Sequence, residues 1–323
     1  MAAPLSALEA WQRRGELRRV FGHQVFTLTH GDGAADPLLV LHGFPSSSLD
    51  FHLAIDELAA GRRVILHDHL GFGLSDKPTA YSYSLLEQAE VALELWRSLG
   101  VKRGHLLAHD YGTSVATEIL ARRERGLSPV EISGVTLCNG SVHIELAHLT
   151  PSQRLLRNHV AGPLFARLAR PSVFKAQLRR ILGHPDAVSE DELDAMWAGV
   201  ERAGGRHRLP AIASYMDERT RFRERWIGPL CRLDVPAHIL WGRRDPVAVP
   251  AIAERLAAEI PGATLTWLDE LGHYPMLEAP ARWARAARSF VDALALPADA
   301  LAPPAAPVAL PADPASAGAP AAR

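Results

Sequence analysis

Cysteine is almost missing from this chain. Two residues among 323, Cys138 and Cys231, are too few for a disulfide framework, and Cys138 closes an apolar run that suits a small core residue. An excess of either charge is missing too. With 35 Lys and Arg against 36 Asp and Glu, nothing global points to nucleic acid or to an anionic membrane surface as a partner. No apolar stretch is long enough to span a bilayer. Residues 1–20 carry Arg13, Arg14, Arg18 and Arg19 with no apolar segment before them, so no signal peptide is expected and a cytoplasmic protein is the default. Residues 297–323 are nearly all Ala and Pro. Such a tail buries too little apolar surface to offset its ordering entropy, and disorder is expected there.

The remainder, 48% hydrophobic and 22% charged, has ordinary globular composition. Its length suits one large α/β domain with an inserted subdomain, or two small domains. Short apolar runs at 37–41, 63–67, 105–108, 135–138, 238–241 and 264–268 are bounded by Gly, Pro or Asp and read as strands. Helical patterns at 47–60, 85–99, 113–125, 251–259 and 281–293 fall between them. This alternation predicts an α/β fold, a doubly wound, mostly parallel sheet with helices on both faces. Runs at 17–21 and 24–29, joined through Gly22-His23, predict an antiparallel hairpin leading into it. Between 141 and 227 no strand pattern occurs, and helices are expected at 153–160, 164–169, 174–182, 190–203 and 212–223. An insertion after the sixth strand stands over the carboxyl ends of the strands, where open α/β sheets bind ligands. The expected organisation is a core over 1–140 and 228–296, a helical cap over 141–227, and the tail over 297–323.

Asp110 is the most informative residue. It lies in Leu106-Leu107-Ala108-His109-Asp110-Tyr111-Gly112, where an apolar run breaks at a turn and a helix begins, the context of a nucleophile elbow. A carboxylate there can displace a leaving group from an sp³ carbon, giving an alkyl–enzyme ester that water then cleaves. The competing role is a helix cap, accepting from the backbone N–H groups of residues 111–114. The partners favour the nucleophile. Asp245 follows one strand in Trp241-Gly242-Arg243-Arg244-Asp245, and His273 follows the next in Leu271-Gly272-His273-Tyr274-Pro275. Acid then His, each at a strand end, would meet Asp110 at one edge of the sheet. His42-Gly43-Phe44-Pro45 follows the third strand, where the backbone N–H groups of Phe44 and Tyr111 would form an oxyanion hole. The 68–78 segment lacks the third Gly and the acidic residue of a dinucleotide site, so Gly71 and Gly73 are expected in a structural loop. His67 and His69 read as packing residues rather than metal ligands. No metal or organic cofactor is expected.

Together these motifs resemble the Asp-nucleophile branch of the α/β-hydrolase fold, which holds epoxide hydrolases and haloalkane dehalogenases. Within that branch the chain resembles the mesoderm-specific transcript protein family. The similar segments are LHGFPSSSLDF, LGFGLSDKP, LLAHDYG and LCNG, with AMWAGV and RFRERWIGPL in the expected cap, over roughly residues 10 to 295. The resemblance implies Asp110 as nucleophile, His273 as base and Asp245 as its orienting acid. Vertebrate members look membrane-anchored, and this chain is expected to lack the anchoring segment.

Two tyrosines of the cap donate to the opening ring oxygen in epoxide hydrolases. Here only five tyrosines exist, and Tyr215 alone falls in the expected last cap helix, with none from 142 to 214. Haloalkane dehalogenases hold the halide with a Trp after the nucleophile and commonly an Asn after the HG pair; those places are Tyr111 and Phe44. Epoxide hydrolysis therefore ranks first and dehalogenation second. The lesser reading of Tyr215 is a core residue of an amphipathic helix. Asn139, in Leu137-Cys138-Asn139-Gly140, is expected either to position water or the nucleophile at the substrate or to be a turn residue. The substrate would be a small molecule with an electrophilic carbon. The rival from another class is a non-catalytic interaction protein on a hydrolase scaffold. A serine-type esterase is disfavoured, because carboxylate attack on an ester gives a high-energy anhydride.

Overall fold

The computed structural model describes residues 6–294, so the expectation for the Ala/Pro tail lies outside the described residues. Eight strands form one sheet: β1 (Glu16–Val20), β2 (His23–His30), β3 (Ala35–Leu41), β4 (Arg62–His67), β5 (Arg103–His109), β6 (Glu131–Cys138), β7 (Ala237–Gly242) and β8 (Thr264–Leu268). Their order across the sheet is β1-β2-β4-β3-β5-β6-β7-β8. β1 pairs antiparallel with β2 through a tight turn at Phe21-Gly22, one residue earlier than expected, β2 pairs antiparallel with β4, and every other pairing is parallel. β5 and β7 are buried along nearly their whole length, which is why they read as unbroken apolar runs rather than alternating ones.

Helices cover both faces. Leu85–Ser98 is capped by Ser84, whose hydroxyl accepts from the N–H of Leu86, and buries Val91, Leu95 and Trp96. Pro280–Leu294 closes the opposite face with Trp283, Ala284, Ala287 and Val291. Tyr111–Glu124 is buried along residues 111 to 121, because it passes between the sheet and the later helix Arg223–Cys231. One expected core helix is different. Residues 47–60 form a 3₁₀ turn at Ser48–Phe51 and a short helix at Ile55–Leu58, since Ser47 and Asp68 claim the backbone N–H groups of Leu49 and Ser48.

Between β6 and β7 the described residues form no strand, and helices are joined there by loops: Pro151–Arg157, Ala161–Leu168, Pro171–Arg179, Glu190–Glu201, Leu209–Ile212, Tyr215–Arg221 and Arg223–Cys231, with short 3₁₀ turns. The boundary expected at residue 227 cuts through the last of these. Arg223–Cys231 packs on Tyr111–Glu124, where Arg225 and the indole N–H of Trp226 both donate to Glu118. Among the described residues, no helix is long and apolar enough to cross a membrane.

Candidate active site

The site stands at the carboxyl ends of β3, β5, β6, β7 and β8. β5 ends at His109, and the next residue, Asp110, takes φ 44° and ψ −107° before the helix starts at Tyr111. A non-glycine residue in that region is strained, and it aims the side chain out of the turn. Gly43 and Gly112 make the turn possible. A Cβ on Gly112 would stand 2.4 Å from the Leu41 carbonyl oxygen, and one on Gly43 2.8 Å from the His109 ring. Asp110 does not cap the helix: its side chain accepts no bond from it. Instead Oδ2 accepts from the backbone N–H of Phe44 at 2.9 Å. The other oxygen, Oδ1, faces Nε2 of His273 at 3.9 Å.

His273 follows β8 and Asp245 follows β7, and the sheet brings them together. Nδ1 of His273 lies 2.6 Å from Oδ2 of Asp245, a bond the imidazole donates. Oδ1 of Asp245 accepts from the N–H groups of Val247 and Ala248, at 2.7 and 2.9 Å. Burial alone would lower the His273 pKa, but the adjacent Asp245 and the nearby Asp110 outweigh it and raise it to about 9. The three side chains are 3%, 3% and 2% exposed for His273, Asp245 and Asp110, so this charge arrangement is held in a dry site.

Asn139 stands elsewhere than expected. Its amide donates to Oδ2 of Asp245 at 2.8 Å, and its Oδ1 accepts from the N–H of Gly242 at 2.9 Å. It is fully buried and bound to the acid loop, and it is not among the walls of the pocket lined by Phe44 and His273. With φ 42° it sits in the left-handed region, which Asn tolerates at a strand end.

A pocket opens beside Phe44 and His273, the two residues that flank the Asp110 carboxylate, between the sheet and the inserted helices. Phe44, Gln153, Leu156, Phe165, Phe174, Trp197, Leu209, His273 and Tyr274 are among its walls, and its empty volume is about 770 Å³, open mouth included. Tyr215 is not a wall residue. It is fully buried, its ring packs on those of Phe44 and Tyr111 at 5.5 and 5.2 Å, and its hydroxyl accepts from the Gln153 amide at 3.3 Å. It therefore meets the pocket through two wall residues, Phe44 and Gln153. Burial pushes its phenol pKa up, so the hydroxyl keeps its proton. Tyr111 is buried with its hydroxyl unbonded and its ring on His69.

Several residues of the site carry no sequence motif. Arg219, 1% exposed, donates through Nε to Ser114 Oγ at 2.8 Å and through Nη2 to the Asp110 carbonyl at 3.3 Å. Its guanidinium lies 4.5 Å from the Tyr215 ring centroid. Glu278 accepts from the N–H groups of Gly272, Gly183 and His184, tying the His273 loop to the inserted helices. The 68–78 loop is structural: Asp68 accepts from Ser48 and Leu74, and a Cβ on Gly73 would stand 2.1 Å from its Oδ2. His67 and His69 pack edge to face against each other and against Trp96 and Phe72.

This fold, with its strand-end acid and His, defines an α/β-hydrolase. Residues 36–280 match the family model described as the alpha/beta hydrolase fold, and the chain belongs to that family. Among its relatives is LipZ of Mycobacterium tuberculosis, named as a hydrolase, 40% identical over 262 residues that cover 81% of this chain and 90% of LipZ. The mesoderm-specific transcript homolog protein of Homo sapiens is 35% identical over 296 residues, covering 89% of this chain and 88% of its own. In three dimensions, haloalkane dehalogenase DbeA from Bradyrhizobium elkani shares the fold. It has a TM-score of 0.73 at 22% identity and covers 87% of this chain and 98% of that one.

Proposed function

We propose that the protein hydrolyses an electrophilic small molecule through an ester on Asp110, and that the electrophile is an epoxide. One observation carries the reading: Asp110 presents one oxygen to the Phe44 N–H and the other to His273, rather than capping its helix. In the first step the free oxygen, Oδ1, attacks an epoxide carbon and the C–O bond of the ring breaks. The ester carbonyl is then Oδ2, already bonded to the Phe44 N–H in the place an oxyanion needs. The Tyr111 N–H, one residue on, is the second donor in this scheme. In the second step His273 takes a proton from water, which attacks the Asp110 carbonyl carbon. The ester oxygen leaves with that proton returned from His273, the water's other proton goes to the alkoxide left by ring opening, and the diol departs from a restored carboxylate. Asp245 holds the imidazole in the tautomer that leaves Nε2 facing the water. Asn139 acts here as a positioning residue for Asp245.

The inserted helices serve as a cap over the pocket. Tyr215 favours an epoxide over a haloalkane. Its hydroxyl accepts from the Gln153 amide and keeps its own hydrogen, which in this scheme bonds the departing ring oxygen once the wall formed by Phe44 and Gln153 shifts to admit it; a halide has no need of that bond. Asp110→Ala tests the nucleophile. Turnover of an epoxide panel should fall by several orders of magnitude in a folded variant. Near-normal turnover would remove Asp110 from the reaction, and a wild type inert to every epoxide and haloalkane would favour the non-catalytic scaffold.

A further inference from the structure

The balanced net charge hides a strongly uneven distribution. Residues 146–185 contain Arg154, Arg157, Arg167, Arg170, Lys175, Arg179 and Arg180 and not one Asp or Glu. Three of these cations are paired from outside the segment: Arg157 with Asp217, Arg179 with Glu190, and Lys175 with Glu190 and Asp194. Arg154, Arg167, Arg170 and Arg180 are exposed and carry no ion pair among the described residues.

Apolar exposure concentrates in the same place. Five of the nine large exposed apolar side chains among the described residues fall here: Leu155, Val160, Leu164, Leu168 and Val173. Val160, Leu164 and Leu168 are 87%, 61% and 65% exposed. Their spacing of four residues along Ala161–Leu168 and its entry puts them on one face of that helix. The opposite face turns Ala166 and Phe165 inward, and Phe165 is a wall of the pocket beside Phe44 and His273. Arg170 and Val173 belong both to this surface and to the pocket wall, so the apolar stripe and the pocket opening adjoin.

We propose that this cap face, Leu155 to Val173, is a docking surface for an anionic lipid bilayer, resting on the membrane with the pocket mouth toward it. Contiguous apolar side chains in water are unfavourable, and a rim of unpaired arginines makes a protein partner's apolar core a poorer match than a headgroup region. Leucine and valine enter the acyl boundary while Arg154, Arg167 and Arg170 meet lipid phosphates. The chain lies on the surface in this mode, in keeping with the lack of a membrane-length helix among the described residues. A substrate dissolved in the lipid would then reach the apolar pocket without crossing water. The docking itself does not depend on which electrophile Asp110 attacks.

The test is co-sedimentation of the full chain with vesicles of phosphatidylcholine, with and without about a third phosphatidylglycerol. The wild type should sediment with the anionic vesicles, weakly with neutral ones, and less as salt rises. Leu164→Asp/Leu168→Asp should weaken binding by roughly a hundredfold or more. Arg154→Glu/Arg167→Glu should weaken it by at least roughly 30-fold, from about fivefold per lost cation. Both pairs are on the surface, and an unchanged thermal melt would show them folded. No sedimentation of the wild type, or equal sedimentation of the apolar variant, overturns the proposal. So does a wild-type dimer that the apolar variant dissociates without any effect on vesicle binding. Each readout is independent of turnover.

Discussion

Arg219 reaches the back of Asp110: its Nη2 lies 3.3 Å from the Asp110 carbonyl oxygen while its Nε holds the Ser114 hydroxyl. Among the described residues this buried guanidinium makes no ion pair, so its hydrogen bonds and the Tyr215 ring are its compensation for lost water. It links the strained turn at Asp110 to the helix Tyr215–Arg221.

Replacing it should therefore cost both stability and rate. Arg219→Met takes the donor from the buried Ser114 hydroxyl and leaves the Asp110 carbonyl with its two Thr113 bonds alone, and should destabilise the protein by about 1–3 kcal/mol in urea unfolding. Arg219→Lys keeps the charge but loses the planar fork, so its loss should be intermediate and its kcat should fall more than its KM changes. Wild-type stability in the Met variant would mean that the guanidinium is a passenger.

Tyr215→Phe removes a hydroxyl and keeps the ring on Phe44 and Tyr111. If the hydroxyl bonds a developing alkoxide, its loss should cost about 2–4 kcal/mol of transition-state stabilisation, like a lost oxyanion-hole donor. The rate on an epoxide should fall roughly 30- to 1000-fold. The rate on a bromoalkane should fall much less. Equal losses on both, or none, would make Tyr215 a packing residue and take epoxide hydrolysis off the first rank.

His273 sets the pH dependence. Its folded pKa, about 9, lies above the ordinary 6.5, because Asp245 and Asp110 hold the imidazolium against the opposing effect of burial. The stability this contributes is fully present below about pH 6.5 and is lost as pH rises through about 9. Asp245→Asn should flatten that loss in unfolding curves taken across the interval. Alkylation turns Asp110 into a neutral ester and removes one of the two anions, so the imidazole should deprotonate more easily in the intermediate. Single-turnover hydrolysis of the ester should then rise with pH along a curve whose midpoint lies below that of His273 in the free enzyme. A midpoint at or above the free value would contradict this coupling.

The sheet and the placing of the candidate site residues were legible because strand ends carry them. β5, β7 and β8 appear as apolar runs, and Asp110, Asp245 and His273 each follow one directly or within a short loop. Asn139 follows β6 in the same way, yet its role was not legible. Which way its amide turns depends on the loop after β7, more than a hundred residues on. Arg219 gave no signal at all. A charged residue in an amphipathic helix reads as solvent-facing, and only the tertiary arrangement buries it. The helix over 223–231 escaped for a related reason, since Pro229 lies within it and its partner Glu118 is distant in sequence. Tyr215 was correctly set in the late inserted helices, but its distance from the pocket wall depends on how Phe44 and Gln153 pack.

The central claim is a covalent ester on Asp110, and trapping it is the most direct measurement. His273→Gln keeps a polar side chain of similar reach but removes the base, so the first step should proceed and the second should stall. Intact-protein mass spectrometry after incubation with candidate epoxides should show about one substrate mass added per chain, and peptide mapping should put it on Asp110. An unmodified variant that still turns over, or an adduct on another residue, would contradict the two-step account.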